Sequence, residues 1–267
     1  MNDIQVSLVA SAVRTNVWQY FWDSLKENKI NYEVIFVGYR KPEFQLPENF
    51  RWIYANVKPA QCYEIGFRAA KGELIGWTAD DADYGKAPNK NGLEIGYNRY
   101  KSFNDYKMMI AMRPYEDGSA NVWKFHHFFG GKENTPVMAP FGLMSNQFMK
   151  ELGGYDKGFI GGQSENDLVM RGFEAGGRVF VDLEAHLWVN HRLHEHPNKF
   201  RAYYKWDREV LENAWVPTGY GSYNDRSLNW DQVQISKTRL KPLEPFIETP
   251  DWTTVSQGPK GEGMPWN

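Results

Sequence analysis

Apolar runs and helical periods alternate along the first third of the chain. Gln5 to Ala10 is a short apolar run followed by the polar loop Ser11 to Asn16, after which Trp18, Phe21, Trp22 and Leu25 recur at helical spacing. Tyr32 to Val37, ending at Gly38, reads as a second strand, and Arg51 to Ala55 as a third behind a proline-containing connection. A helix is expected from about Ala60 to Ala70, stopped at Lys71-Gly72 by a cation and a glycine in the left-handed capping position. Glu73 to Ala79 then forms a buried strand that delivers Asp80-Asp81-Ala82-Asp83 at its carboxyl end. Alternation of this kind favours a parallel sheet with helices on its faces.

Further along, Pro88 is placed to open a helix running to about Tyr100, and Tyr106 to Met112 is a strand candidate. Arg113 to Pro136, with His126-His127 and Gly130-Gly131, reads as a long loop or lid. Regular structure returns with Val137 to Met144, a short helix near Asn146 to Leu152, the turn Gly153-Gly154, and a helix from Glu165 to Ala175 closed by Gly176-Gly177. Arg178 to Asp182 and His186 to Asn190 read as two strands, and a helix follows from Lys199 to about Asn213. Beyond Trp215 the sequence is rich in Pro, Gly, Asn and Trp without a clean period. The expected organisation is a domain over 1–214 and an extended tail over 215–267 that packs on it or mediates assembly.

A chain of 267 residues suits one large α/β domain. Its net charge of -2, from 31 basic and 33 acidic residues, comes without a basic tract, which argues against nucleic acid as a partner. The single cysteine, Cys62, rules out an internal disulfide and a cysteine-based zinc cage, and its place on an apolar helix face makes it a core residue. No stretch approaches the roughly 18 apolar residues of a membrane span, and Met1 to Gln5 lacks the basic start of a secretory signal. A soluble, cytoplasmic protein is expected, with peripheral membrane docking and homo-oligomerisation left open.

Three segments carry candidate chemistry. The first is the acidic cluster at 80–83: hard cations such as Mn²⁺ or Mg²⁺ take oxygen ligands, and acids at the carboxyl end of a strand in an open α/β sheet face the ligand crevice. An acidic, solvated turn would show the same letters. The second is Gly161-Gly162-Gln163-Ser164-Glu165-Asn166-Asp167, a glycine-rich loop entering a helix. Ser164 and Asp167 have capping-box spacing, which leaves Glu165 as an exposed, ionised acid at the helix start, able to act as a general base. The third is the group His186, His191, His194 and His196, of which His191 and then His194 are the first choices to complete a metal site.

In their order, Val6 to Asn16, Gly66 to Asp83, Gly142 to Gly176 and the strand leading to His191 resemble the nucleotide-sugar glycosyltransferases of the GT-A fold, most of all family 2. Gly66 to Asp83 is similar to that family's glycine-containing helix, turn and DxD strand. Phe148 to Phe159 is similar to its acceptor-side segment. The resemblance implies a mainly parallel, Rossmann-like sheet flanked by helices, with a C-terminal extension. It implies a metal-dependent, inverting transfer of sugar from a nucleoside-diphosphate donor, UDP-linked by preference, to a saccharide or other acceptor hydroxyl. Asp81 and Asp83 become the DxD pair, with His191 or His194 as a further ligand to Mn²⁺ or Mg²⁺. Glu165 becomes the general base, with Asp167 beside it, and Ala10, Ser11, Arg14, Asp80 and Asp81 become the donor-binding residues.

Three features depart from the family. The second strand ends in Val37-Gly38-Tyr39-Arg40 where acids commonly hold the nucleobase, Tyr63-Glu64 stands where Arg-Asn is frequent, and glutamate replaces the usual aspartate at the base position. Two other readings use the same residues. A metal-dependent phosphohydrolase or nucleotidyltransferase would use the acids, although Val9 to Thr15 contains no glycine for a phosphate loop. A glycan- or nucleotide-binding protein would use the fold without turnover.

Overall fold

The apolar runs of the first third assemble as four parallel strands, β1 (Val6–Ser11), β2 (Tyr32–Gly38), β3 (Phe50–Tyr54) and β4 (Leu74–Trp77). The computed structural model describes residues 4–116, 139–156, 158–189 and 201–215, with the side chains of 206–211, 214 and 215 in the last segment. Four further strands follow: β5 (Ala82–Asp83), β6 (Met108–Glu116), β7 (Gly142–Ser145) and β8 (Arg178–Val189). The helices are α1 (Trp18–Ser24), α2 (Pro59–Ala69), α3 (Gly92–Phe103), α4 (Asn146–Leu152), α5 (Ser164–Glu174) and α6 (Arg201–Trp215). The sheet runs β3-β2-β1-β4-β7-β6-β8-β5, with β7 antiparallel to both neighbours, β6 and β8 parallel, and β5 antiparallel to β8.

Helices cover both faces, which is why β1 and β2 are apolar almost throughout. On one face Val9, Ile35, Ile75, Met109 and Met144 pack with Phe67 of α2, Phe148 of α4, Leu168 of α5 and Leu211 and Trp215 of α6. On the other, Leu8, Phe36, Leu74, Ile110 and Leu143 pack with Phe21 of α1 and Leu93 and Tyr97 of α3. Cys62 is buried in the first cluster, as expected, and burial pushes its thiol up to about 12. Among the described residues no helix is long and apolar enough to cross a membrane.

Several expectations change. Gly72 does not adopt a left-handed conformation, since α2 ends at Ala70 in extended geometry. Its lack of a side chain serves close approach instead: a Cβ there would lie 2.6 Å from the Ser7 backbone nitrogen. The third helix begins at Gly92 rather than Pro88, and the Asn89 N–H ahead of it is bound by the ring of His186. Residues Arg113 to Glu116 extend β6, and the rest of the expected lid, 117–136, lies outside the described residues. The two expected strands around Asp182 and His186 are one strand, β8. Its register against β6 shifts between Met112 and Arg113, and Asp182 Oδ1 accepts the N–H groups of Glu184 and Ala185 across the irregularity. Trp215 belongs to α6 and is fully buried. The tail beyond it lies outside the described residues.

A chain of buried charges fixes α2 against the α4–α5 connection. Glu64 Oε2 accepts the Tyr155 N–H at 3.0 Å, and Oε1 pairs with Arg68 at 3.0 Å. Gly154, with φ 79° at Gly153 before it and 72° of its own, makes the turn; a Cβ at Gly154 would stand 2.1 Å from Glu64 Oε2. Arg171, almost fully buried, donates to the carbonyls of Leu152 and Gly154 and pairs with Asp167 at 2.8 Å. Trp215 Nε1 donates to the other Asp167 oxygen at 2.8 Å. The expected capping box is therefore absent: Gln163, not Ser164, is the N-cap of α5, and Asp167 is turned into the core.

Burial pushes Glu64 up to about 7 against the opposing pull of Arg68 and the Tyr155 N–H. The folded protein then keeps a proton that the unfolded chain has released, so this group lowers stability as pH rises from about 4.5 to about 7. Glu64→Gln removes that slope. Urea unfolding at about pH 5 and about pH 7.5 should show the variant gaining on the wild type at the higher pH, whereas parallel behaviour of the two proteins would contradict the buried-acid account.

Candidate functional site

The carboxyl ends of β1 and β4 lie side by side at the centre of the sheet, the place where open α/β sheets form their ligand crevice. The loop leaving β1 carries Arg14, and the loop leaving β4 carries Asp80 and Asp81. Asp80 is fully buried. Its Oδ2 accepts the N–H groups of Val13 and Arg14, both at 2.9 Å, and the Trp18 indole at 3.3 Å, while Oδ1 takes the Arg14 guanidinium. Asp81, also buried, receives the same guanidinium at 3.1 Å. Burial opposes the charge on Arg14, but Asp80 and Asp81 outweigh it and raise its pKa. The oxygens of Asp80 are thus taken up by donors of the chain itself, and Arg14 is engaged by both acids.

Asp83 sits in β5, opposite Trp188 of β8. Its Oδ1 accepts the Lys86 N–H at 3.0 Å, with the Lys86 ammonium 3.5 Å from Oδ2. The strand leading to His191 does run beside the acidic segment, since Val189 pairs with Ala82. His191 and His194 themselves lie outside the described residues. His186 is structural: its ring is buried, Nδ1 accepts the Asn89 N–H at 3.1 Å, and Nε2 lies 2.6 Å from the Leu183 carbonyl. Burial lowers its pKa. Of the remaining donor-binding candidates, Ala10 is buried in the core, and Ser11 closes β1 beside the Cys62 thiol.

Glu165 occupies the first turn of α5 and is half-buried, not exposed. Burial, reinforced by the charge of Asp207, pushes its carboxyl up to about 7; N–H groups of its own turn and the Ser164 hydroxyl pull the other way. The expected permanently ionised acid is instead a group that titrates near neutrality. Two tyrosines connect it to the strand-end acids. Tyr63 donates its hydroxyl to the Thr78 carbonyl at 2.6 Å, and its proton is held by burial and then by the charges of Glu165, Asp80 and Asp81 against that of Arg14. Tyr155 packs on Tyr63 with ring centroids 5.5 Å apart, and burial followed by Glu165 raises its pKa also. Glu165 and the Asp80–Asp81–Arg14 group therefore both bear on the charge state of the partly buried Tyr63.

Sequence reasoning did not select Tyr63, Tyr155 or Asp207 as functional. The Gly153-Gly154-Tyr155 turn was visible, but what Tyr155 packs against was not.

A divalent cation is the group the acids would suit. Among the described residues no cluster of three or more His, Cys, Asp and Glu side chains forms a cage. Asp81 and Asp83 supply oxygen chemistry appropriate to Mn²⁺ or Mg²⁺. Asp80, saturated by four donors from the chain itself, does not.

No family model and no curated protein matches the sequence. Solved structures do. S. aureus TarS, residues 1–349, superposes with a TM-score of 0.54 at 11% identity, covering 70% of this chain and 60% of that one. TarS in complex with UDP-GlcNAc gives 0.55 at 12% identity, over 78% and 65%. The mannosyltransferase PcManGT from Pyrobaculum calidifontis, in complex with GDP-Man and Mn²⁺, gives 0.51 at 12% identity, over 77% and 60%. The chain thus spans less than two thirds of the length of each. These neighbours are GT-A glycosyltransferases, and the mixed, mostly parallel sheet of this chain, with helices on both faces, is their fold.

Proposed function

We propose that the chain is an inverting glycosyltransferase. It takes a sugar from a nucleoside-diphosphate donor, UDP-linked in the first instance, and transfers it to the hydroxyl of a saccharide or other acceptor, with Mn²⁺ or Mg²⁺ as cofactor. The observation that supports this reading is the shared electrostatic environment of Tyr63, which feels Glu165 on one side and Asp80, Arg14 and Asp81 on the other. On a GT-A sheet that brings a strand-end acid cluster and a helix-borne base to one crevice.

The residues divide the work. Asp80 orders the β1 loop and fixes Arg14, whose positive charge offsets the repulsion between the strand-end acids and an incoming diphosphate. Asp81 and Asp83 would hold the metal ion, which when bound would supply Lewis-acid neutralisation of the charge on the departing nucleoside diphosphate. Glu165, titrating at about 7, accepts the acceptor's hydroxyl proton near neutral pH. The acceptor oxygen forms its bond to the anomeric carbon from the opposite face, and the bond to the diphosphate breaks with its electron pair leaving on the nucleotide. Tyr63 and Tyr155 wall the space between these groups and keep their protons.

Donor binding comes first. In a thermal-shift screen with and without Mn²⁺, UDP-GlcNAc, GDP-mannose or another nucleotide sugar should raise Tm in a metal-dependent way that EDTA reverses. A ligand at a hundred times its Kd adds about 2.7 kcal/mol, several degrees for a domain of this size. Asp83→Ala should lose the metal-dependent part of the shift. A shift of equal size in the variant, or one insensitive to EDTA, would count against the assigned cation site.

Catalysis is tested at Glu165. Glu165→Gln should retain the donor-induced shift and lose transfer or donor hydrolysis by roughly 10²- to 10⁴-fold. In the wild type the rate should fall as pH drops through about 7, because protonation removes the base. An active Glu165→Gln protein would end the base assignment.

A further inference from the structure

Asp207, on α6, is a buried carboxylate that the mechanism above does not use as a reacting group. It is fully buried, and it accepts three successive backbone N–H groups: Ile160 at 2.7 Å, Gly161 at 2.9 Å and Gly162 at 2.7 Å. Successive N–H groups converging on one point form a concave anion site, here filled by the chain's own acid from 45 or more residues downstream. The turn leads directly into Gln163, a non-glycine residue with φ 65°, whose carbonyl accepts the Asp167 N–H and so opens α5. A side chain larger than glycine held in the left-handed region costs of order 1 kcal/mol or more and persists where neighbouring contacts over-determine it. Asp207 supplies those contacts on the near side. On the far side α6 grips the same helix again through Trp215 and Asp167, and upstream Trp206 donates to the Gly158 carbonyl at 3.1 Å.

We propose that Asp207 is the positioning residue for Glu165: by binding the amides of 160–162 it fixes the strained turn at Gln163 and thereby the direction in which the Glu165 carboxyl points. The inference rests on the reading of Glu165 as the base. Asp207 acts through the backbone and through its charge, without contact with substrate. Among the described residues, the titratable groups that bear on Glu165 are Asp207 from α6, Tyr63 from α2 and Tyr155 from the turn before α5. Lys58, at the start of α2, bears on Asp207. The negative charge of Asp207 is the second largest cause of the raised Glu165 pKa, after burial.

The test follows the Glu165 carboxyl directly. In the full chain labelled at the glutamate side-chain carboxyls, the Glu165 signal is assigned by its disappearance in Glu165→Gln, and its ¹³C shift is followed with pH. The wild-type midpoint should lie at about 7. Asp207→Asn removes the charge and leaves one acceptor oxygen for three amides, so the midpoint should fall by roughly half a pH unit or more, with amide exchange at 160–162 accelerated at least about tenfold. An unchanged midpoint in a folded Asp207→Asn protein overturns the proposal. Should that variant not fold, amide exchange in the wild type decides: strong protection at Ile160, Gly161 and Gly162 supports the clamp, and unprotected amides overturn it. Neither readout needs turnover. Transfer by Glu165→Gln would therefore end the base reading while leaving the result on Asp207 to stand separately.

Discussion

The grip of Asp80 on the loop after β1 is the contact on which the rest of the site depends. A carboxylate buried at the end of a central strand is costly by several kcal/mol unless its oxygens are satisfied. Here two backbone N–H groups, an indole and a guanidinium satisfy them. The same bonds tie the ends of β1 and β4 together at the crevice and hold Arg14 within 3.1 Å of Asp81. Removing the guanidinium would leave Asp80 charged and under-bonded and Asp81 without its cation. Removing Asp80 would release both the loop and Arg14. The architecture at the carboxyl ends of β1 and β4 thus follows from one acid that is itself fully enclosed.

The approach to α5 is built on the same logic with a different anchor. Asp207 organises the turn before α5, Asp167 is locked between Arg171 and Trp215, and Glu64 holds the turn that carries Tyr155. These acids are structural because their partners are supplied by the chain. Glu165 differs in kind: its hydrogen-bond partners belong to its own helical turn, and burial, reinforced by the charge of Asp207, outweighs them and favours protonation. Glu64 is raised to about 7 as well, but its oxygens are taken by Arg68 and the Tyr155 N–H, whereas Glu165 combines that value with a partly exposed side chain at a helix start.

Much of the fold was legible because its signals are local. The strand runs of the first third, the helix over 146–152 and the left-handed glycine after α5 each follow from period and turn chemistry within a dozen residues. The misread features depend on distant partners. Ser164 and Asp167 have the spacing of a capping box, yet Arg171, four residues after Asp167 on the same helix face, takes the carboxylate inward. That spacing was available in the sequence. What was not available was Trp215 completing the pocket 48 residues later. β8 was divided because residues 183–185 interrupt its alternation, although Asp182 bridges the irregularity. Asp207 gave no signal at all, since its partners are backbone amides that any sequence possesses. The pair His191 and His194 falls outside the described residues, so the expected metal site is legible to its two aspartates and no further.

Tyr63 explains how the two charge systems share a crevice without cancelling. Arg14 is held in its charged form by Asp80 and Asp81, while Glu165 is pushed towards its neutral form by burial and Asp207. A mobile proton between them would let Glu165 be quenched by the strand-end group. The hydroxyl of Tyr63 is committed to the Thr78 carbonyl, and burial together with acids on both sides keeps it protonated. Tyr155 packs against it, with ring centroids 5.5 Å apart. Glutamate rather than aspartate at 165 is consistent with that spacing, because one more methylene carries the carboxyl past a helix start that Asp207 and Gln163 hold in place. The positions at which the chain departs from the family 2 pattern, 63, 64 and 165, are linked in the fold: Glu64 accepts the Tyr155 N–H, Tyr155 packs on Tyr63, and the charge of Glu165 bears on both tyrosines.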